Sequence, residues 1–126
     1  MQVSEHFGDW EFFCKCHGHY PDCTKLHPNG IPKKLLELLE DIRVHFNQPV
    51  TVDSGFRCHG RNEDVRGEDQ SQHLLGTAAD IRVRDISPDE VLEYARKILK
   101  GKGGLGAYTT FTHIDVRKGK SRWDFR

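Results

Sequence analysis

The size of the chain and the order of its elements permit an α+β domain, a small and mainly antiparallel sheet with two principal helices packed against it. Three observations lead there. The chain has 126 residues, enough for one core and little more, so residues 1–126 read as a single domain. Two stretches repeat their apolar residues at intervals of three and four, and several short stretches alternate apolar with polar.

Taken in order, residues 4–13 mix polar caps with four aromatics, Phe7, Trp10, Phe12 and Phe13, which suits a short helical turn laid over the core as a lid or brace. A loop follows, broken by Gly18, Pro21, Pro28 and Gly30, that carries Cys14, Cys16, His17, His19, Cys23 and His27. From Pro32 to Phe46, Leu35, Leu38, Leu39, Ile42 and Phe46 mark an amphipathic helix with proline near its start. Pro49–Asp53 is a short strand with Val50 and Val52 on one face, leading into Ser54-Gly55-Phe56-Arg57. Residues 58–70 are polar and read as one helical turn and an exposed loop, a place where substrate contacts often sit.

Ala78–Val83 reads as a strand with Ala79, Ile81 and Val83 towards the core and Asp80 on the opposite face. Ser87-Pro88-Asp89-Glu90 has the form of a capping box with proline in the first turn, opening a second helix through Val91, Leu92, Ala95, Ile98 and Leu99. Gly101, Gly103, Gly104 and Gly106 predict a turn-rich connection, with Leu105–Tyr108 and Phe111–Arg117 as the two strands of a hairpin. No strand precedes these glycines, as a dinucleotide-binding motif would require.

Composition narrows the function classes. Lysine plus arginine and aspartate plus glutamate both number 19, so no net basic field argues for nucleic acid. No stretch approaches the roughly 18–20 apolar residues of a membrane span, and Met1–Phe7 has no apolar run, so the chain is expected to be soluble, without a signal peptide. Four cysteines without a repeated Cys-x-x-Cys spacing leave the redox compartment open. A structural zinc at Cys14, Cys16 and Cys23, a disulfide within the loop or to Cys58, and free thiols beside solvated histidines are all compatible with them. Eight histidines make a metal the first thing to test.

The chemistry concentrates in Ser71-Gln72-His73-Leu74-Leu75-Gly76-Thr77-Ala78-Ala79-Asp80, with an imidazole and a carboxylate set around a glycine turn. Thr112-His113-Ile114-Asp115 adds His113 and Asp115 on one strand face. Two histidines and a carboxylate make an open zinc site, one that leaves a coordination position for water. Singly, each group has a plainer role: a hydrogen-bonded histidine, a turn aspartate, a salt-bridged Arg57. Tyr108 and Trp123 read as core or rim aromatics, and His6, His45 and His59 carry no functional role.

Ser54-Gly55-Phe56-Arg57, the S-x-H-x-x-G-x-A-x-D run from Ser71 to Asp80, and His113-Ile114-Asp115 together resemble the zinc D-alanyl-D-alanine carboxypeptidase family. That family includes bacteriophage L-alanyl-D-glutamate endopeptidases and D-alanyl-D-alanine dipeptidases and shares its fold with the hedgehog signalling domain. The match in order and spacing runs from about Phe7 to Trp123. The resemblance selects the α+β fold and implies His73, Asp80 and His113 as ligands of one catalytic zinc, with Arg57 and Ser71 contacting substrate and Arg57 also catalytic, stabilising the charge that develops on the carbonyl oxygen. Better-known members look to have an acid three residues before the last histidine ligand, where this chain has Thr110. Asp115 then stands as the catalytic base or as the group that orients an imidazole, with another acid reaching in as the base in the second case.

The activity implied is zinc-dependent hydrolysis of a peptide bond involving D-amino acids in peptidoglycan stem peptides or crosslinks. The alternative is a zinc-containing module that binds peptidoglycan or a protein without cleaving it. The expected partner is a peptidoglycan peptide met by a monomer made in the cytoplasm and acting on the wall, through phage-type lysis or separate export.

Overall fold

A computed structural model describes all residues 1–126. Its helices are α1 (Lys33–Phe46), α2 (His59–Asp64) and α3 (Pro88–Leu99), and its strands are β1 (Val50–Ser54), β2 (Ala78–Val83), β3 (Gly103–Ala107), β4 (Thr112–Asp115) and β5 (Lys120–Asp124). Two 3₁₀ turns, Asp9–Phe12 and Gln72–Leu75, complete the set. The five strands form one sheet in the order β1-β2-β4-β3-β5, antiparallel except that β5 runs parallel to β3. This is the expected α+β class, with α1 and α3 as the two principal helices.

The helices form where their apolar stripes can be buried. Leu35, Leu39 and Ile42 of α1 are wholly buried, and Val91, Leu92, Ala95 and Leu99 of α3 meet them and the sheet. α1 stops at Asn47, in the left-handed conformation at φ 51°. α3 starts at Ser87, whose Oγ accepts from Glu90 N at 3.2 Å. The reciprocal half of the expected box is absent: the Glu90 carboxylate meets the Ser87 hydroxyl instead, at 3.5 Å.

The aromatic N-terminal stretch is a brace. Phe7 and Phe12 are sunk in the core, and Glu40 on α1 accepts from Ser4 Oγ and His6 N, both at 2.7 Å, lashing the segment to the helix. Burial raises the Glu40 carboxyl, but these donors outweigh it and hold its pKa below the usual value.

Strand parity is what positions the site. Along β2, Ala79, Ile81 and Val83 enter the core, which leaves Asp80 on the other face. A register shift between Val52 and Ser54 places Ser54 opposite Asp80.

The C-terminal region corrects the sequence reading in three respects. Gly103, Gly104 and Gly106 belong to β3 itself rather than to a turn, and the strand after the hairpin bend is Thr112–Asp115, shorter than Phe111–Arg117. A fifth strand, β5, follows it. The glycines make room. A Cβ on Gly104 would lie 2.1 Å from the Asp115 carboxylate, and one on Gly106 would lie 2.4 Å from the Trp123 ring.

Candidate metal centre

His73 sits in the Gln72–Leu75 turn, where Ser71 Oγ caps the backbone by accepting from His73 N at 3.2 Å. Its Nδ1 lies 2.7 Å from the Gly55 carbonyl. A carbonyl can only accept, so Nδ1 carries the proton and Nε2 presents its lone pair. That Nε2 is buried and has no hydrogen-bond partner. An orphaned acceptor in such a place is what a metal would satisfy.

Asp80 and His113 are direct cross-strand partners on β2 and β4. Asp80 Oδ2 stands 3.2 Å from His73 Nε2, and Asp80 Oδ1 stands 2.9 Å from His113 Nδ1. The three ligand atoms lie within 4.8 Å of one another. Ligands held at 2.0–2.2 Å around a tetrahedral zinc would be about 3.3 Å apart, close to these separations. The residues fit the ion.

The electrostatics agree with a cation site. Burial raises the Asp80 carboxyl, but His113 and His73 outweigh it and hold it well below the usual carboxylate range. Burial lowers the His113 imidazole, but Asp115 and Asp80 reverse the sign and raise it. The raised His113 reflects a ring pressed between two carboxylates, a place where positive charge is favoured. A divalent ion held beside Asp80 would supply that charge, with Nδ1 of His113 free of its proton.

Asp115 is completely buried and fully engaged. It accepts from His113 Nε2 at 2.7 Å, from Arg117 Nε at 2.9 Å, from Arg117 Nη2 at 2.7 Å and from Arg117 N at 3.1 Å. Burial raises its pKa, but His113 and Arg117 hold it well below the usual range. Sequence reasoning missed Arg117. Its position two residues beyond Asp115, within the stretch expected as a strand, was the available signal.

Beside the three ligands opens a cleft of about 540 Å³. Arg57, Glu68, Ser71, Tyr108, Phe111, Arg117 and Trp123 are on its wall. Arg57 is mostly buried, with Nη2 at 3.4 Å from Asp80 Oδ2, Nε at 3.2 Å from Ser54 Oγ and Nη1 at 3.3 Å from Asn62 Oδ1. Asn62, itself buried, also donates to the Glu68 carbonyl at 3.0 Å, so one side chain ties Arg57 to the Glu68 loop. Trp123 Nε1 donates to Tyr108 Oη at 2.9 Å, and the Trp123 ring centroid is 4.8 Å from that of His113. Of the core and rim positions expected for these two aromatics, both take the cleft wall, half-buried. Thr110 lines a separate hollow with Pro88 and Val91, away from the cleft.

The four cysteines gather into a second cluster, with all four sulfurs within 4.8 Å of one another and none in a disulfide. Cys58 joins the three cysteines of the N-terminal loop, which the sequence reading had considered only as a disulfide partner.

A family model described as Peptidase M15 matches residues 5–115, a span that takes in all three candidate ligands, Arg57 and Asp115. No curated protein matches the chain.

Proposed function

The chain belongs to the peptidase M15 family of zinc peptidases, and from that premise we propose that it hydrolyses a peptide bond involving D-amino acids in peptidoglycan stem peptides or crosslinks. One observation carries the site assignment: the buried, partnerless Nε2 of His73, facing Asp80 and His113. His73 Nε2, an Asp80 oxygen and His113 Nδ1 would hold one zinc, which when bound lowers the pKa of a water towards about 7 and polarises the scissile carbonyl. A second, structural zinc in the cysteine loop would not touch this chemistry.

The chain's own residues supply the rest. Arg57, held on three sides, is set to receive a substrate carboxylate or the charge that develops on the carbonyl oxygen. Ser71 shapes the site by capping the turn under His73 while also lining the cleft. Arg57 and Arg117 are paired with Asp80 and Asp115, and Arg66 on the cleft wall adds a cation suited to a substrate carboxylate.

Of the two roles open to Asp115, the geometry favours orientation: it fixes His113 through Nε2 and does not line the cleft. Proton transfer then falls to Glu68, the one carboxylate besides Asp80 on the cleft wall. In this reading its carboxylate takes the proton from the attacking water and passes it to the leaving amine.

A non-catalytic binding module is the second reading, favoured by Thr110 standing where an acid was expected and lining another hollow. Incubation with purified peptidoglycan, followed by mass analysis of the soluble fragments, separates the two. Release of terminal D-alanine means a carboxypeptidase, and release of larger peptides means an endopeptidase. Zinc-loaded protein that releases neither is a binding module. His73→Ala should lose both the zinc and the cleavage; full zinc retention in that variant would show the ligand set to be wrong.

A further inference from the structure

The thiols of Cys14, Cys16, Cys23 and Cys58 lie outside the His73 chemistry, and their arrangement is not that of disulfides awaiting oxidation. Cys14 Sγ and Cys58 Sγ are 3.6 Å apart, and 4.8 Å bounds every other pair. A disulfide draws its sulfurs to about 2.05 Å and singles out one partner for each. Four thiolates at about 2.3 Å from a single zinc stand about 3.8 Å apart along every edge of the tetrahedron.

The backbone is also arranged for charged sulfur. Cys58 N donates to Cys14 Sγ at 3.3 Å, and Lys25 N donates to Cys23 Sγ at 3.4 Å. Two residues in the left-handed region, His17 and Gly18, follow Cys16, and a third, Lys25, follows Cys23 by two positions, so the chain turns sharply just after Cys16 and Cys23. Apolar burial does not explain the cluster. Residues 14–32 contain no helix or strand, and Phe56 is the only other fully buried member of this small group, which sits apart from the main core.

We propose that Cys14, Cys16, Cys23 and Cys58 hold a structural zinc as four thiolates. On binding, the ion displaces the thiol protons to solvent and closes the loop onto the chain that bears Arg57. Cys58 directly follows Arg57, Phe56 N donates to Phe12 O at 3.0 Å, and the Gly55 carbonyl receives His73 Nδ1. The clamp therefore grips, from behind, the segment that presents Arg57 and supports His73. It stands independently of the peptidase reading.

The full chain, prepared in reducing buffer with zinc, is the material for the test. Elemental analysis should find two zincs per chain in the wild type and one in the His73→Ala/Asp80→Ala double variant. Substitution of that double variant with cobalt(II) should give an intense thiolate-to-cobalt charge-transfer band and the visible bands of a tetrahedral ion. Alkylation of the four thiols should be slow until a chelator is added. If the histidine–aspartate site is misassigned, the wild type still shows the thiolate band, so the two ideas fail separately. A wild-type chain with no thiolate-to-cobalt band and with thiols that alkylate at once overturns the proposal, as does intact-mass evidence of disulfides with no charge-transfer band. Because the cobalt spectrum and the alkylation rate can also be read on the wild type, a variant that fails to fold leaves the test intact.

Discussion

At the scale of single residues, Asp115 separates orientation from proton transfer. Its oxygens are fully occupied by His113 and Arg117, so Asp115→Asn turns a donor into the His113 ring and breaks the pair with Arg117. The expected result is a zinc affinity lower by about 10–100-fold, measured by chelator competition. A catalytic base at this position would instead leave affinity intact and remove the acid limb of the kcat–pH profile. Glu68→Gln is the complementary variant: zinc content should be unchanged while kcat falls by on the order of 10²–10⁴. An unchanged kcat would assign the proton to another group.

At the scale of elements, the strands carry more of the site than the helices do. Both β2 and β4 were legible because side chains alternate along a strand, and that alternation put Asp80 and the His113–Asp115 pair on the face away from the core. β5 was not legible: Lys120-Ser-Arg-Trp-Asp has a single apolar residue, and its pairing with β3 is a parallel contact that no local pattern encodes. The glycines of β3 were read as turn formers, although their function is to leave space for side chains arriving from β4 and β5. Gly104→Ala tests that. A methyl group driven against the Asp115 carboxylate should cost about 1–3 kcal/mol in urea unfolding and weaken zinc binding as Asp115 is displaced. Wild-type stability with wild-type zinc affinity would show that the strand yields instead.

At the scale of the whole molecule, the core and the site occupy opposite faces of one sheet. α1 and α3 were visible from apolar spacing because their stripes face a single large core. The ligand triad was visible only as an ordered set, since each member alone has a commoner role. The cysteine cluster was half visible, because Cys58 is brought to the loop by the fold and not by any spacing. Leu39→Ala, wholly buried beneath the far face, should cost about 2–5 kcal/mol by denaturant titration. Zinc stoichiometry and kcat of the molecules that remain folded should hardly change. A proportional loss of zinc would mean that the two faces are mechanically coupled.

The pairing of Asp80 with His113 has a consequence for assembly of the chain. The two residues are 33 positions apart and come together only when β2 and β4 align in their native register. A slip of one residue would turn Asp80 towards the helices and put a strand neighbour in its place. A bound ion would therefore act as an inspector of strand alignment, retained by correctly threaded molecules and refused by shifted ones. Zinc uptake during refolding should lag behind helix formation and keep pace with closure of the β2–β4 ladder.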